Sequence, residues 1–188
     1  MGMSTESAGS KVQEIGGVIS DFSLGDLEEG ARSLLGELTG RKAVVVVFWS
    51  CVCSHCLRYD EYLNTFRDRH PDIALLAVAS RQQETAGELR RAVRERSLTF
   101  PILIDPGGRL AKQWFTEQTP RAFLIAGDMS LQYRGAIDNF QFPGDPDYVA
   151  YLEPAVSDLL AGRPVAQPDT ASFGCAIQSI YYQLQKII

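Results

Sequence analysis

The sequence predicts a three-layer α/β fold, and three observations carry the prediction. Two continuous apolar runs, "KAVVVVFWS" (Lys42–Ser50) and "DIALLAVAS" (Asp72–Ser80), read as strands buried on both faces. Helical patterns follow each of them. Further on, "RAFLIAGDMSLQYRGAI" reads as a hairpin turning at Gly127-Asp128-Met129-Ser130. Strand, helix, strand, helix, then a hairpin and a final helix, is the order expected when helices cover a sheet.

Taken in order, residues 1–17 are polar and rich in Gly and Ser, and are expected to form a flexible N-terminal segment. Val18 to Leu38 shows little periodicity and reads as a short approach to the first buried strand. After the cysteines, Leu57, Tyr62, Leu63 and Phe66 recur at near-helical spacing, predicting one helix up to His70-Pro71. "ETAGELRRAVRERS" predicts a second helix, with Leu89 and Val93 four apart. "FPILID" (Phe100–Asp105) is a short strand, and "PGGRLAKQWF" opens on helix-entry residues. "DPDYVAYLEPAVSDLLAG" predicts a helix ended by Gly162, with Pro154 bending it or marking where its regular part begins. The domain is thus placed at residues 18–162. Residues 163–188 follow as a proline-rich arm that leaves the domain and a tail carrying Cys175.

A chain of 188 residues can bury a core without disulfide staples. Its net charge of −5 argues against a nucleic-acid partner. The arginines of "RRAVRERS" have no aromatic residues between them, so they read as a solvated helix face. No apolar run approaches the roughly 20 residues of a membrane span. The chain as given shows no basic and apolar secretory leader. A cytoplasmic setting is therefore the default expectation, and a periplasmic one would follow if a signal had been removed. No cofactor is expected, and the oligomeric state is open.

Three of the four cysteines, Cys51, Cys53 and Cys56, fall in "SCVCSHC" just past the first buried strand. Such clustering points to chemistry rather than to a disulfide framework. Cys53-Ser54-His55-Cys56 is a C-x-x-C at a strand-to-helix junction. Its first thiol lies near the free N–H groups of a helix start, which stabilise a thiolate, so Cys53 is the candidate nucleophile. Cys56, one turn on, is the candidate resolving thiol. His55 is positioned to tune the nucleophile, making the disulfide more oxidising. Cys51 reads as a partly buried bystander, since a disulfide with Cys53 needs an uncommon ring geometry. A zinc or copper(I) site on these residues is the rival, but no second ligand pair follows.

These residues resemble the thioredoxin-like superfamily. "VVVVFWSCVCSHC", with Trp49 ahead of the motif, is similar to its strand and active-site turn. "TPRAFLIAGDMSLQYRGAID" is similar to the second half of its fold. The resemblance implies an α/β/α sandwich on a mixed sheet. It also implies a cis peptide at Pro120 beside the dithiol, and a Thr119 backbone that pairs with a substrate strand. A closer resemblance, over roughly residues 18–178, is to the peroxiredoxin-like branch of redoxin-domain proteins. It rests on the C-x-H-C turn, Tyr59, "RGAID", "LLAGRPV" and "FGCAI". It places Cys175 on that branch's third cysteine, a candidate redox thiol that could fold back over Cys53 or pair with another subunit.

The chain departs from these patterns in places. Leu57 stands where proline usually follows the second cysteine. The strand Val44–Val47 offers no buried carboxylate, which leaves Asp60 or Glu61 as candidates to take a proton through water. The leading expectation is dithiol–disulfide exchange on protein or small-molecule disulfides. The alternatives are a thiol peroxidase, with Ser50 supplying a hydroxyl but Val46 where proline is required, and a non-enzymatic metal-binding or redox-sensing module.

Overall fold

The structure, a computed structural model, describes residues 14–28 and 30–178. The expected lead-in up to residue 13 and the apolar end from residue 179 lie outside the described residues.

Two parallel strands form the centre, β3 (Ala43–Trp49) and β4 (Ile73–Ala79), and every residue of both is buried. The pleat explains the continuous apolar run. Val45, Val47 and Trp49 pack into one core cluster, while Val44, Val46 and Phe48 pack into the cluster on the opposite face. The seven-stranded sheet runs β2 (Ala31–Ser33), β1 (Ser23–Asp26), β5 (Ile102–Ile104), β4, β3, β7 (Arg121–Ala126), β8 (Leu131–Gly135). Its β5 (Ile102–Ile104) is parallel to β4, and β7 (Arg121–Ala126) is antiparallel to β3. The predicted hairpin is β7 with β8 (Leu131–Gly135), and Met129 takes the left-handed conformation in its turn.

Helices cover both faces. Leu34 and Leu38 of α1 (Leu34–Leu38) and Leu110 of α6 (Arg109–Gln113) pack on the Phe48 side. The Trp49 side carries α2 (Ser54–Leu57), α3 (Asp60–Asn64), α4 (Phe66–Arg69), α5 (Ala86–Arg96) and α7 (Leu152–Leu160). A capping box joins Thr85 and Glu88 at the start of α5. Pro154 sits in the first turn of α7, where its missing N–H costs nothing, so it marks the start of the helix. Gly162, at φ +67°, follows its end.

Three sequence expectations are corrected. Val18–Leu38 is not an unpatterned approach. It holds β1 (Ser23–Asp26), paired antiparallel with β5, then β2 (Ala31–Ser33) and α1. Short strands at a sheet edge leave a weak periodic signal, and their pairing is decided by partners distant in sequence.

The single helix expected after the cysteines is three short ones. The Thr65 hydroxyl donates back to the Glu61 carbonyl at 3.0 Å and to the Tyr62 carbonyl at 3.3 Å, a contact that bends helices. The core stripe is Cys56, Tyr59, Leu63 and Phe66, and Leu57 faces solvent. Finally, the arm after residue 162 stays on the domain. The Arg134 N–H donates to the Pro168 carbonyl at 2.9 Å, and Thr170 N–H donates to the Arg134 carbonyl at 3.0 Å. At the other end, Gly16 N–H donates to the Leu131 carbonyl at 2.7 Å, so the chain is tied to the hairpin from that residue on.

Candidate functional site

The end of β3 delivers Trp49 and Ser50 to the top of the sheet, and the turn that follows carries the cysteines. Trp49 is fully buried. Its indole N–H donates to Asp60 at 3.2 Å, and Arg96 lies over its ring and 3.3 Å from the other Asp60 oxygen. Asp60 is thus engaged with these two groups, while Glu61 is exposed on the helix after the motif.

Glu84, from the loop before α5, reaches under the turn. Its Oε1 accepts from the Ser50 hydroxyl at 2.9 Å and from the Cys51 N–H at 2.5 Å, with the Val52 N–H at 3.4 Å. One carboxylate oxygen therefore gathers donors from three consecutive residues. This residue has no local sequence signal, because the contact joins positions more than thirty residues apart. Cys51 is partly buried, and burial together with the Glu84 carboxylate pushes its thiol up to about 12.

Cys53 occupies the N-cap position of α2 and is fully buried. Its Sγ lies 3.2 Å from the Thr119 carbonyl oxygen. The Thr119–Pro120 peptide is cis, as the resemblance implied. The Cys53 thiol is lowered to about 4. Hydrogen bonding from the Cys56 thiol is the largest cause, opposed by burial, with help from the Cys175 thiol, from Thr119 and from the Cys175 backbone. The converse holds for Cys56, which is fully buried and pushed far up, first by that burial and then by the Cys53 thiolate beside it. His55 is half-buried, and its backbone favours the Cys175 thiolate.

Cys175 joins the site through β9 (Cys175–Ala176), which pairs antiparallel with β6 (Gln118–Thr119). Thr119 lies opposite Cys175, and its hydroxyl is 3.4 Å from the Cys175 carbonyl oxygen. Burial and the Cys53 thiolate both raise the Cys175 thiol. The seven singled-out residues, Trp49, Cys53, His55, Cys56, Thr119, Pro120 and Cys175, therefore converge on one end of the sheet. Among the described residues, no group of three or more Cys, His, Asp or Glu is placed to hold a metal ion. Nor is any described helix long and apolar enough to cross a membrane.

Comparison with known proteins agrees with this geometry. The AhpC/TSA family model matches residues 15–134. The thiol-disulfide oxidoreductase ResA of Bacillus thuringiensis is 30% identical over 115 residues, which cover 61% of this chain and 65% of that protein. The chain thus spans just under two thirds of that relative's length. A hypothetical protein from Sinorhizobium meliloti superposes with a TM-score of 0.78 at 27% identity, covering 87% of this chain and 93% of its own. The thioredoxin domain of a thiol-disulfide oxidoreductase from Bacteroides vulgatus superposes with a TM-score of 0.54 at 17% identity, covering 63% of this chain and 85% of its own. The fold is thioredoxin-like.

Proposed function

Because this chain belongs to the AhpC/TSA family, and its site is built on a C-x-x-C turn, we propose that it is a thiol–disulfide oxidoreductase with Cys53 as nucleophile and Cys56 as resolving thiol. The observation that carries the reading is the split between two neighbouring thiols. Cys53 is held as thiolate at neutral pH, and Cys56 keeps its proton. A thiolate attacks; a protonated partner waits until it is needed.

The exchange runs in two steps. Cys53 Sγ attacks one sulfur of a disulfide, forming a mixed disulfide and expelling the other sulfur as a thiolate. That attack removes the Cys53 charge, and with it one of the forces holding the proton on Cys56. Cys56 then loses its proton to solvent, and its Sγ attacks Cys53 Sγ and expels the second substrate sulfur as a thiolate. The Cys53–Cys56 disulfide that remains holds the two electrons' worth of oxidation. Stabilising the Cys53 thiolate stabilises the reduced form, which favours an oxidising couple. Trp49 supports the base of the turn through Asp60 and Arg96, and the Thr119 carbonyl, just before the cis Pro120, stands 3.2 Å from Cys53 Sγ.

The peroxidase alternative lacks support at its hydroxyl. Ser50 is fully buried and donates to Glu84, so its proton is committed away from Cys53.

The test is capture. A Cys56→Ser/Cys175→Ser variant, which keeps Cys53 but no neighbouring thiol to resolve it, should accumulate mixed disulfides with proteins or low-molecular-weight thiols in an oxidised lysate, resolved by diagonal electrophoresis and mass spectrometry. Cys53→Ser in the same background should abolish them. A Cys56→Ser/Cys175→Ser variant that captures nothing refutes the reading.

A further inference from the structure

The exchange just described uses Cys53 and Cys56 and leaves β9 without a part. Its location is informative. The edge at Thr119 is where an extended substrate would add as a strand, and the chain's own tail has taken it. Gln118 pairs with Ala176, Thr119 pairs with Cys175, and Ile177 N–H donates to the Glu117 carbonyl at 2.9 Å. The docking is close. A side-chain carbon at Gly174 would stand 1.9 Å from the Thr119 carbonyl oxygen, so only glycine permits it. Ile177 is buried next to Gly108, where an added carbon would stand 3.7 Å from the Ile177 side chain.

Closure has a consequence for access. Cys53 and Cys56 are both 0% exposed. Of the three thiols at the site, Cys175 is the one that reaches solvent. Between Thr170 and Gly174 the arm alternates exposed and half-buried residues. Phe173 is 78% exposed, and a groove of about 570 Å³ opens between Gln118, Arg121 and Asp169–Ser172.

We propose that Gly174–Ala176 is a tethered substrate strand: it holds the Thr119 edge against polypeptide disulfides, yields briefly to low-molecular-weight ones, and its Cys175 resolves the mixed disulfides these leave on Cys53. The inference rests on the exchange reading of Cys53. With a small disulfide R–S–S–R, Cys53 thiolate attacks one sulfur. The Cys53–S–S–R bond forms, the S–S bond of the substrate breaks, and R–S⁻ leaves and takes a proton from solvent. Cys175 loses its proton to solvent and attacks Cys53 Sγ, forming Cys53–Cys175 and expelling the second R–S⁻. Cys56 then loses its proton, attacks Cys53 Sγ, forms Cys53–Cys56, and returns Cys175 as a thiol. One disulfide is reduced to two thiols, and one dithiol is oxidised.

Cys175 precedes Cys56 in this order because it is the less buried thiol. Part of what holds its proton is the Cys53 thiolate, and that charge is gone once the mixed disulfide has formed.

The experiment treats reduced Cys56→Ser protein with oxidised glutathione and reads intact mass and peptide maps. An internal Cys53–Cys175 disulfide without a glutathione adduct is expected, and Cys56→Ser/Cys175→Ser should retain one adduct on Cys53. An adduct that persists on Cys53 in Cys56→Ser overturns the resolving role and leaves the exchange reading standing. Cys53 that acquires neither adduct nor disulfide in both variants overturns the exchange reading itself.

The gate is read separately, with the cysteines intact. Gly174→Val should accelerate Cys53 alkylation and raise the ratio of insulin reduction to glutathione-disulfide reduction several-fold. Ile177→Ser undocks the strand from its other end and should do the same. Unchanged ratio and alkylation in the two variants overturn the gate.

Discussion

Cys51 and Cys53 stand two residues apart, yet their thiols shift in opposite directions, Cys51 up to about 12 and Cys53 down to about 4. The cause is what each thiol faces. Burial and then the Glu84 carboxylate raise Cys51, whereas hydrogen bonds from Cys56, Cys175 and Thr119 outweigh burial at Cys53. The ultraviolet thiolate absorbance of the reduced protein, taken against Cys53→Ser, should therefore fall with a midpoint near pH 4. A midpoint close to the ordinary 9.0 would show that the site does not stabilise the anion.

The linkage to stability has a definite sign. The folded-state value lies below the unfolded one, so the Cys53 contribution is complete above about pH 9, shrinks as pH falls, and is gone below about 4. The same contrast predicts labelling. In Gly174→Val protein at neutral pH, iodoacetamide should modify Cys53 and spare Cys51.

At the scale of elements, the cysteine-bearing turn is held by the loop between β4 and α5. Glu84 accepts from Ser50, Cys51 and Val52, and Arg96 of α5 donates to the Cys51 carbonyl at 3.3 Å. Glu84→Ala removes the shared acceptor and leaves the buried Ser50 hydroxyl and the Cys51 N–H unpaired. The loss should be about 1–3 kcal/mol by denaturant titration, the usual cost of stranding buried donors. A change within error would mean that water replaces the carboxylate there.

The end of β8 holds the arm in a similar way. Buried Tyr133 donates to the Ala136 carbonyl at 2.5 Å, and its hydroxyl is 2.7 Å from Thr170 Oγ1. Gly135 leaves the space, since a side-chain carbon there would lie 2.0 Å from that Thr170 oxygen.

At the scale of the whole molecule, a site that stabilises a thiolate couples redox state to folding. The reduced form carries the hydrogen-bonded Cys53 anion, and closing a Cys53–Cys56 disulfide removes it. The reduced protein should therefore melt at a higher temperature than the oxidised one at neutral pH, as followed by circular dichroism with redox state fixed by alkylation controls. A higher midpoint for the oxidised protein would contradict an oxidising couple. Both core clusters meet at β3, whose alternate residues fill opposite faces. The site is thus mounted on the most completely buried strand pair, which gives the turn a rigid base.

The sequence by itself determined the central strands, the hairpin, the C-x-x-C at a strand-to-helix junction and the Gly162 stop. Each of these is a local pattern of hydrophobicity, turn chemistry or spacing, and local patterns survive in one dimension. The position of Cys175 was legible as a landmark in "FGCAI", but its place opposite Thr119 was not. The edge strands β1 and β2, the breaks between α2, α3 and α4, and the Glu84 clamp were decided by tertiary structure. Each depends on a partner that the chain brings near only by folding. The tuning of Cys53 belongs with them. Beside His55, which the sequence placed next to the nucleophile, the folded protein brings Cys56 to that sulfur and carries in Cys175 and Thr119 from distant segments. A thiol's acidity is set by the dipoles and charges within a few ångströms of it, and those are a property of the packed site rather than of the order of residues along the chain.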